Sequence, residues 1–175
     1  WSQPPQLPED DILWDIQEAG QALLGEHGYR QYETSAYAQP GRQARHNLNY
    51  WTFGDFLGIG AGAHAKLSHA DGRILRSWKT RLPKDYLDPA KAFRAGEKQL
   101  TADELPFEFL MNVLRLTDGV PAVLFTQRTG LALDAIAKPR RDAEARGLLS
   151  NDPARLVATP KGQLFLNDLL QQFLA

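Results

Sequence analysis

The chain has 175 residues, a hydrophobic fraction of 43%, a charged fraction of 23% and a formal net charge of −1. These proportions are those of an ordinary globular protein, and the near-neutral charge argues against a general polyanion binder. Cysteine is absent, which excludes disulfides, thiolate zinc and iron–sulfur ligation by the chain's own side chains. No apolar run reaches the ~18 residues of a membrane-spanning helix, and the start does not resemble a signal peptide.

The first residues predict a linker, and a helix followed by a strand comes next. The proline-rich start lacks an initiator methionine, so we expect a piece of a longer protein. Apolar residues recur at helical spacing from Ile12 to Leu23, and the helix should end near Gly25 or Gly28. Residues 29–38 alternate in polarity and predict one strand. A helix, a glycine and a strand form the closing half of a βαβ-type unit.

Residues 45–101 predict a hairpin flanked by less regular segments. The segment 46–51 has no clear periodicity and is assigned to a loop or short helix. Residues 56–67 predict a strand of small residues, Asp71-Gly72 is a favoured hairpin turn, and residues 73–81 predict the returning strand. Residues 86–100 predict a polar connecting helix.

Helical patterns dominate from residue 102 onward. The segment 106–116 places Phe107, Leu110, Val113 and Leu114 on one face. Pro139 should kink or divide a helix over residues 131–145. A short strand over 156–159 precedes a final helix that begins at Thr159-Pro160 and aligns residues 165, 169 and 173. This order is typical of a winged-helix module, and the complete chain is predicted to be α+β.

The winged-helix pattern raises a nucleic-acid alternative. Four basic residues decorate the would-be recognition helix, but Asp134, Asp142 and Glu144 interleave with them. A solvated face of mixed charge explains this pattern better, and no nucleic-acid partner is expected. The basic residues are Lys138, Arg140, Arg141 and Arg146.

The richest chemistry lies between residues 46 and 64. Imidazoles, amides and aromatic rings stand beside the glycine run 58–62, which has neither the dinucleotide-binding spacing nor a phosphate-loop ending. Glycine in a strand indicates close backbone approach, either by a ligand or by another element. Imidazole is a common ligand for metals and heme iron, although a structural role also fits. The candidate site residues are His46, Asn47, Tyr50, Trp51 and His64.

Three other titratable side chains have simpler interpretations. Glu33 lies on a strand expected to face the core, so its carboxylate should have a partner. His27 and His69 fall at a helix end and a turn tip, where both should be solvated.

At these motifs the chain resembles the HemW family, radical SAM heme chaperones related to oxygen-independent coproporphyrinogen III oxidase. The segment 32–38 (YETSAYA), the H-N-x-x-Y-W motif at 46–51 and the segment 57–64 (LGIGAGAH) carry the resemblance. Phe107-Glu108-Phe109-x-Met111 and Thr159-Pro160-x-Gly162, with Asn167, extend it through the helical part.

The resemblance implies a fold and a domain plan. Residues 1–82 would form the C-terminal end of a partial (β/α) radical SAM barrel, residues 83–101 a connector, and residues 102–175 the family's helical C-terminal domain. The intact family carries a [4Fe–4S] cluster, S-adenosylmethionine and heme. Ala36 matches a position that touches S-adenosylmethionine, and the motif raises the expectation that His46 is functional.

The cysteine motif of the family is missing here. The resemblance therefore predicts that this chain alone has no radical activity and works as part of a cytoplasmic heme-handling protein. Its partners would be the N-terminal barrel portion, heme and a heme-accepting protein. Oxidative decarboxylation of coproporphyrinogen III is the alternative activity. A half-barrel has unpaired strand edges, so we also expect either that the N-terminal linker covers the edge or that the isolated piece self-associates.

Overall fold

A computed structural model describes residues 6–174, and the chain divides into two compact units after residue 44. Helices and strands are mixed in it, as the predicted α+β class requires. In this described part, no helix is both long enough and apolar enough to cross a bilayer. The predicted linker falls largely outside the described residues.

The first unit is a helix followed by a small hairpin. Helix α1 (Asp10–Glu26) has two acidic residues in its first turn, and Gly28 follows its end with a φ of 76°. Strands β1 (Arg30–Glu33) and β2 (Ala36–Ala38) pair in antiparallel fashion. The prediction of one strand over 29–38 is therefore wrong, because the chain turns between the two short strands.

The second unit begins with α2 (Arg45–Trp51) and a three-stranded sheet. Strands β3 (His64–Ser68) and β4 (Ile74–Lys79) form the hairpin that the Asp-Gly turn predicts. A short helix α3 (Pro83–Tyr86) precedes β5 (Arg94–Gln99), which pairs with β4. The predicted polar helix over 86–100 is wrong. Strand β5 is an edge strand with mostly exposed polar side chains, so hydrophobic periodicity does not reveal it.

Short helices with a two-stranded sheet make up the remainder. Strands β6 and β7 pair in antiparallel fashion although 33 residues separate them. The elements are α4 (Leu105–Val113), β6 (Val120–Pro121), α5 (Val123–Thr129), a 3₁₀ helix (Leu133–Ile136), α6 (Ala137–Ala145), β7 (Arg155–Leu156), α7 (Pro160–Leu164) and α8 (Leu166–Gln171).

The core of this unit is organised around α4. Leu110, Val113 and Leu114 are fully buried as predicted. Phe109 is also fully buried, and its ring centroid lies 5.6 Å from that of Phe53 and 5.4 Å from that of Phe125. These edge-to-face contacts join the loop after α2, helix α4 and helix α5 in one apolar cluster.

Two helix predictions are tested by the C-terminal elements. The helical segment around Pro139 is divided, as predicted, into a 3₁₀ helix and α6, with the proline in the first turn of α6. Thr159 caps α7 as expected, since its hydroxyl accepts a bond from the Gly162 amide. The continuous final helix is wrong, because the backbone breaks at Phe165 and leaves that ring 52% exposed.

Gly162 is a site where the fold requires glycine. A Cβ added there would lie 1.9 Å from the Leu148 carbonyl oxygen. We expect Gly162→Ala to lower the free energy of unfolding by about 2 kcal/mol, because α7 must move away from that carbonyl. Urea denaturation measures the loss. Leu164→Ala on the exposed side of the same helix is the control, and equal stability of the two variants would contradict the close approach.

Candidate functional site

The H-N-x-x-Y-W motif forms helix α2 with its histidine at the accessible end. His46 is the second residue of α2 and its side chain is exposed, whereas Asn47, Tyr50 and Trp51 are partly buried. The His46 and Tyr50 rings meet edge to face with centroids 6.3 Å apart. The prediction of a loop or short helix is thus correct, and the imidazole lies at the surface.

The end of α2 is fixed by packing and hydrogen bonds. The Tyr50 ring meets Phe56 edge to face at 4.6 Å. The Asn49 side-chain amide donates to the Asp55 carbonyl oxygen at 2.8 Å, and its Oδ1 lies 2.1 Å from where a Cβ on Gly54 would be. Glycine at position 54 therefore lets Asn49 close the turn, and the exposed His46 stands on an anchored helix.

Trp51 joins the motif to the helical part of the unit. The guanidinium carbon of Arg115 lies 4.3 Å from the Trp51 ring centroid, which is a cation–π contact. The indole N–H of Trp51 is buried and finds no hydrogen-bond acceptor among the described residues. Trp51 thus packs in the protein rather than forming an open aromatic wall.

A buried lysine lies directly beneath this region. Lys66 is 1% exposed, and its ammonium lies 2.7 Å from Asp55 Oδ1 and 4.2 Å from the Phe53 ring centroid. Phe53 has a φ of 57°, a left-handed backbone that costs a non-glycine residue of order 1 kcal/mol. The ammonium and the aromatic core hold this strained residue at the end of α2.

Burial and the ion pair between Lys66 and Asp55 change the pKa of both groups. Burial lowers the pKa of Lys66, although the bond to Asp55 opposes that change. Burial alone would raise the pKa of Asp55, but the bonds from Lys66 and from the Ser68 amide and hydroxyl outweigh it and lower the pKa. The Asp55 carboxyl is therefore ionised at neutral pH.

The glycine run is a loop rather than the predicted strand. Phe56 makes an isolated bridge to Lys66, and Gly60 and Gly62 have φ values of 102° and 71°, which end the extended conformation. A Cβ on Gly58 would lie 2.2 Å from the His64 carbonyl oxygen. The close approach at Gly58 is thus made by another segment of backbone.

His64 has surroundings different from those of His46. It begins β3, its side chain is exposed, and its ring stacks on Trp78 with centroids 6.5 Å apart. Across the described residues, no cluster of three or more His, Cys, Asp or Glu side chains is arranged to hold a metal ion. The two histidines thus have separate aromatic neighbours.

Two predicted residues of the first unit lie in its hairpin. Ala36 begins β2 and is partly buried. Glu33 is 2% exposed, and the Ser35 hydroxyl donates to its carboxylate at 3.1 Å. The predicted need for a partner at Glu33 is confirmed. His27 and His69 are exposed at a helix end and a turn, as expected.

Two of the basic residues on α6, Lys138 and Arg140, are paired within the protein. Arg140 is buried, and it donates to Glu144 at 2.7 Å and to the Asp152 carbonyl oxygen at 2.8 Å. Lys138 pairs with Asp142 at 2.9 Å. These contacts pair two of the four basic residues with acidic neighbours on the same helix, in agreement with the mixed-charge interpretation.

Sequence reasoning missed Lys66, Asp55, Phe53 and Arg115. A lysine between Ala65 and Leu67 in a hairpin strand is a weak signal, since charged residues in strands usually face solvent. Nothing in the local pattern around Arg115 indicates its contact with Trp51, because 64 positions separate them.

Known proteins that are similar to this chain include a domain family and two heme chaperones. Residues 100–165 match the HemN C-terminal domain family. The chain is 49% identical over 174 residues to the heme chaperone HemW of Escherichia coli (strain K12) and 47% identical over 171 residues to that of Haemophilus influenzae. The alignments cover 99% and 98% of this chain but 46% and 44% of those relatives. The chain thus spans less than half of their length.

Among solved structures, the fold is similar to coproporphyrinogen III oxidase (HemN) from Escherichia coli, described as a radical SAM enzyme. The TM-score is 0.64 at 17% sequence identity, covering 99% of this chain and 43% of that one. The fold is therefore similar to that of HemN, and residues 100–165 are similar to the HemN C-terminal domain family. Over nearly its whole length it is similar to HemW, and the resemblance carried by the motifs is confirmed.

Removing the Asp55 carboxylate should show how much the stability of the fold depends on the counter-charge of the buried lysine. We expect Asp55→Asn to cost roughly 1–3 kcal/mol of stability, since it leaves the Lys66 ammonium without its counter-charge, while partial solvation of Asp55 limits the loss. Lys66→Met, of similar length and apolar, should change stability by about 1 kcal/mol or less. A double-mutant cycle by urea denaturation measures the coupling, and additive single effects would contradict it.

The ion pair between Asp55 and Lys66 should also affect how the free energy of unfolding changes at acidic pH. Because the folded-state pKa of Asp55 lies below its ordinary 3.8, this group stabilises the fold above that pH, and the contribution is lost as pH falls through the folded pKa. Wild-type stability should fall more steeply on acidification than that of Asp55→Asn. Parallel curves for the two proteins would contradict the assignment.

Proposed function

We propose that this chain handles heme as the C-terminal portion of a HemW-like radical SAM protein. Its similarity to several heme chaperones over 94–99% of its length supports this. The observation that carries the proposal is the placement of His46, an exposed imidazole on a helix whose opposite end is anchored by Tyr50, Trp51 and Asn49.

That arrangement suits an iron ligand for a transferable cargo. Neutral imidazole binds heme iron, and exposure allows the heme to arrive and to leave for a heme-accepting protein. Tyr50 meets the imidazole edge to face and restricts its orientation. In the proposal His46 holds the iron, while Asn47, Tyr50 and Trp51 build the setting. His64, which stacks on Trp78, would border the same region.

The proposal assigns the remaining cofactors of the intact protein to other residues. A [4Fe–4S] cluster requires thiolates, and this chain contains no cysteine. No step of radical chemistry is therefore derived from these residues. Ala36 would contact S-adenosylmethionine once the N-terminal barrel portion completes the pocket. The comparisons favour neither the decarboxylase alternative nor the nucleic-acid alternative.

The exposed apolar face of α1 supports an N-terminal barrel partner. None of the described residues of α1 is buried, although Ile12, Trp14, Ile16 and Leu23 are 50%, 45%, 59% and 56% exposed. Large apolar side chains in such density mark an interface. In the proposal residues 1–82 complete a cytoplasmic (β/α) barrel, residues 83–101 connect, and residues 102–175 form a winged-helix-like domain.

Heme titration tests the assignment of His46. We expect His46→Ala to lose the Soret band of the ligated complex or to weaken heme binding at least about tenfold, because an iron–nitrogen bond is removed. His69→Ala is the matched control, since that imidazole is also exposed but lies in the turn between β3 and β4. An unchanged spectrum and affinity in His46→Ala would show that His46 is not the ligand.

Light scattering tests the proposed interface on α1. Without a barrel partner, we expect the 175-residue chain to have a mass above that of one copy, because its apolar helix face and strand edges seek partners. Ile16→Lys should shift the mass toward a single copy, whereas Gln17→Lys, at an exposed polar position on the same helix, should not. A wild-type chain that is a clean monomer would contradict this expectation.

A further inference from the structure

One face of the three-stranded sheet carries two aromatic rings next to each other. His64 on β3 pairs with Trp78 on β4, and Trp78 pairs in turn with Gly96 on β5. Residues directly opposite each other in antiparallel strands project from the same face of a sheet. We call this set, His64, Trp78 and Gly96, the aromatic row. All three residues belong to the second unit.

The rings of the aromatic row are accessible to solvent. The His64 side chain is exposed and Trp78 is half-buried. Their planes meet at 30° with centroids 6.5 Å apart, so the two rings are nearly parallel. A Cβ on Gly96 would lie 2.3 Å from Trp78 Cζ2, which places the indole directly over the glycine. Neither ring is part of the apolar core cluster formed by the described residues, so packing of the core does not explain the pair.

The aromatic row lies next to the residues that support His46. Phe56 pairs with Lys66, two residues along β3 from His64, which is roughly 7 Å along a strand. The Tyr50 ring packs on Phe56 at 4.6 Å and on His46 at 6.3 Å. A contiguous series of contacts thus leads from the His46 imidazole to the part of the sheet that carries the aromatic row.

The charges beside the aromatic row favour an anionic ligand. In the neighbouring row of the sheet, Lys66 pairs with Asp55 and Arg76 pairs with Glu108, so both of these carboxylates are already bound to cations. Arg81 follows the end of β4 and is exposed, and its Cα would lie 3.8 Å from a Cβ built on Gly62. A ligand carboxylate that reaches this guanidinium gains charge-assisted hydrogen bonds.

We infer that the aromatic row stacks on the porphyrin ring of the heme cargo, with Arg81 beside a propionate carboxylate. The inference rests on the proposed heme-handling function and extends it from an iron ligand to a surface for the macrocycle. Three strands give the row a width of roughly 10 Å, which suits a broad flat ring, whereas a nucleobase stacks on a single aromatic side chain. A nucleotide is the competing occupant.

Metal-free protoporphyrin IX tests the aromatic row separately from the iron ligand. It contains no iron, so His46→Ala should leave its affinity unchanged in a fluorescence titration of the 175-residue chain. Trp78→Ala should weaken binding about tenfold, whereas Trp78→Phe should retain most of it, because a phenyl ring still stacks. His64→Ala should weaken binding several-fold and His64→Phe should not, which distinguishes stacking from ligation by the imidazole.

Two further variants complete the titration. Arg81→Gln should weaken protoporphyrin binding several-fold at low salt and less at high salt, because salt screens the attraction between exposed charges. Phe165→Ala is the matched control for loss of an accessible aromatic ring, since Phe165 is 52% exposed but lies between α7 and α8, outside the sheet. Its affinity for protoporphyrin should equal that of the wild-type chain.

The outcomes distinguish the aromatic row from the heme function. Unchanged protoporphyrin affinity in both Trp78→Ala and His64→Ala overturns the inference, and so does a wild-type chain that binds heme but not the metal-free porphyrin. Either result leaves ligation by His46 intact. Binding of ATP that is tighter than that of protoporphyrin and is lost in Trp78→Ala also overturns the inference, in favour of a nucleotide. A chain that binds neither heme nor protoporphyrin overturns the proposed function itself.

Thermal unfolding of each variant shows whether a loss of binding is a loss of fold. His64 and Arg81 are exposed, so their variants should keep the fold of the wild-type chain. Their affinities therefore decide the inference even where Trp78→Ala unfolds.

Discussion

The buried ammonium of Lys66 is the constraint around which the second unit is arranged. A charge that is 1% exposed is tolerated only with a counter-charge and good hydrogen bonds. Asp55 supplies both, and it also binds Ser68. These bonds hold the segment after α2 against β3, and the Phe53 ring covers the ammonium in a left-handed backbone conformation. The position of α2 thus depends on an ion pair between the segment that follows it and strand β3.

A second link joins α2 to the helical part. Phe53 packs on Phe109 of α4, and Trp51 stacks under Arg115 after α4. The end of α2 that carries Trp51 is therefore held by the sheet and by α4, whereas the end that carries His46 is exposed. In the proposed function, the anchored helix gives the imidazole a fixed orientation and its exposed end gives a ligand open access.

Local sequence signals predicted those elements whose conformation is decided by the residues within the element. Asp71-Gly72 predicted the β3–β4 hairpin, the Thr159 cap predicted the start of α7, and Pro139 predicted a divided helix. Predictions failed where pairing with a distant segment of the chain decides the local conformation. Strand β5 exists because it bonds to β4, and its polar residues resemble an exposed helix face. The glycine run turns at Gly60 and Gly62, whose φ values are positive, and Phe56 pairs with Lys66 across it; no period of two or 3.6 reveals that pairing.

The amino-acid sequence alone predicted the resemblance to HemW and most of the buried face of α4, and it singled out His46 as a candidate. Motifs and helical periodicity are properties of neighbouring residues, so they can be read without the tertiary structure. Packing in three dimensions decided that the imidazole is exposed while Trp51 is held, and that Gly58 faces backbone. It also joined His64, Trp78 and Gly96 in one row of the sheet. These outcomes depend on contacts between distant positions, such as 51 with 115, where desolvation and shape rather than local preference set the free energy.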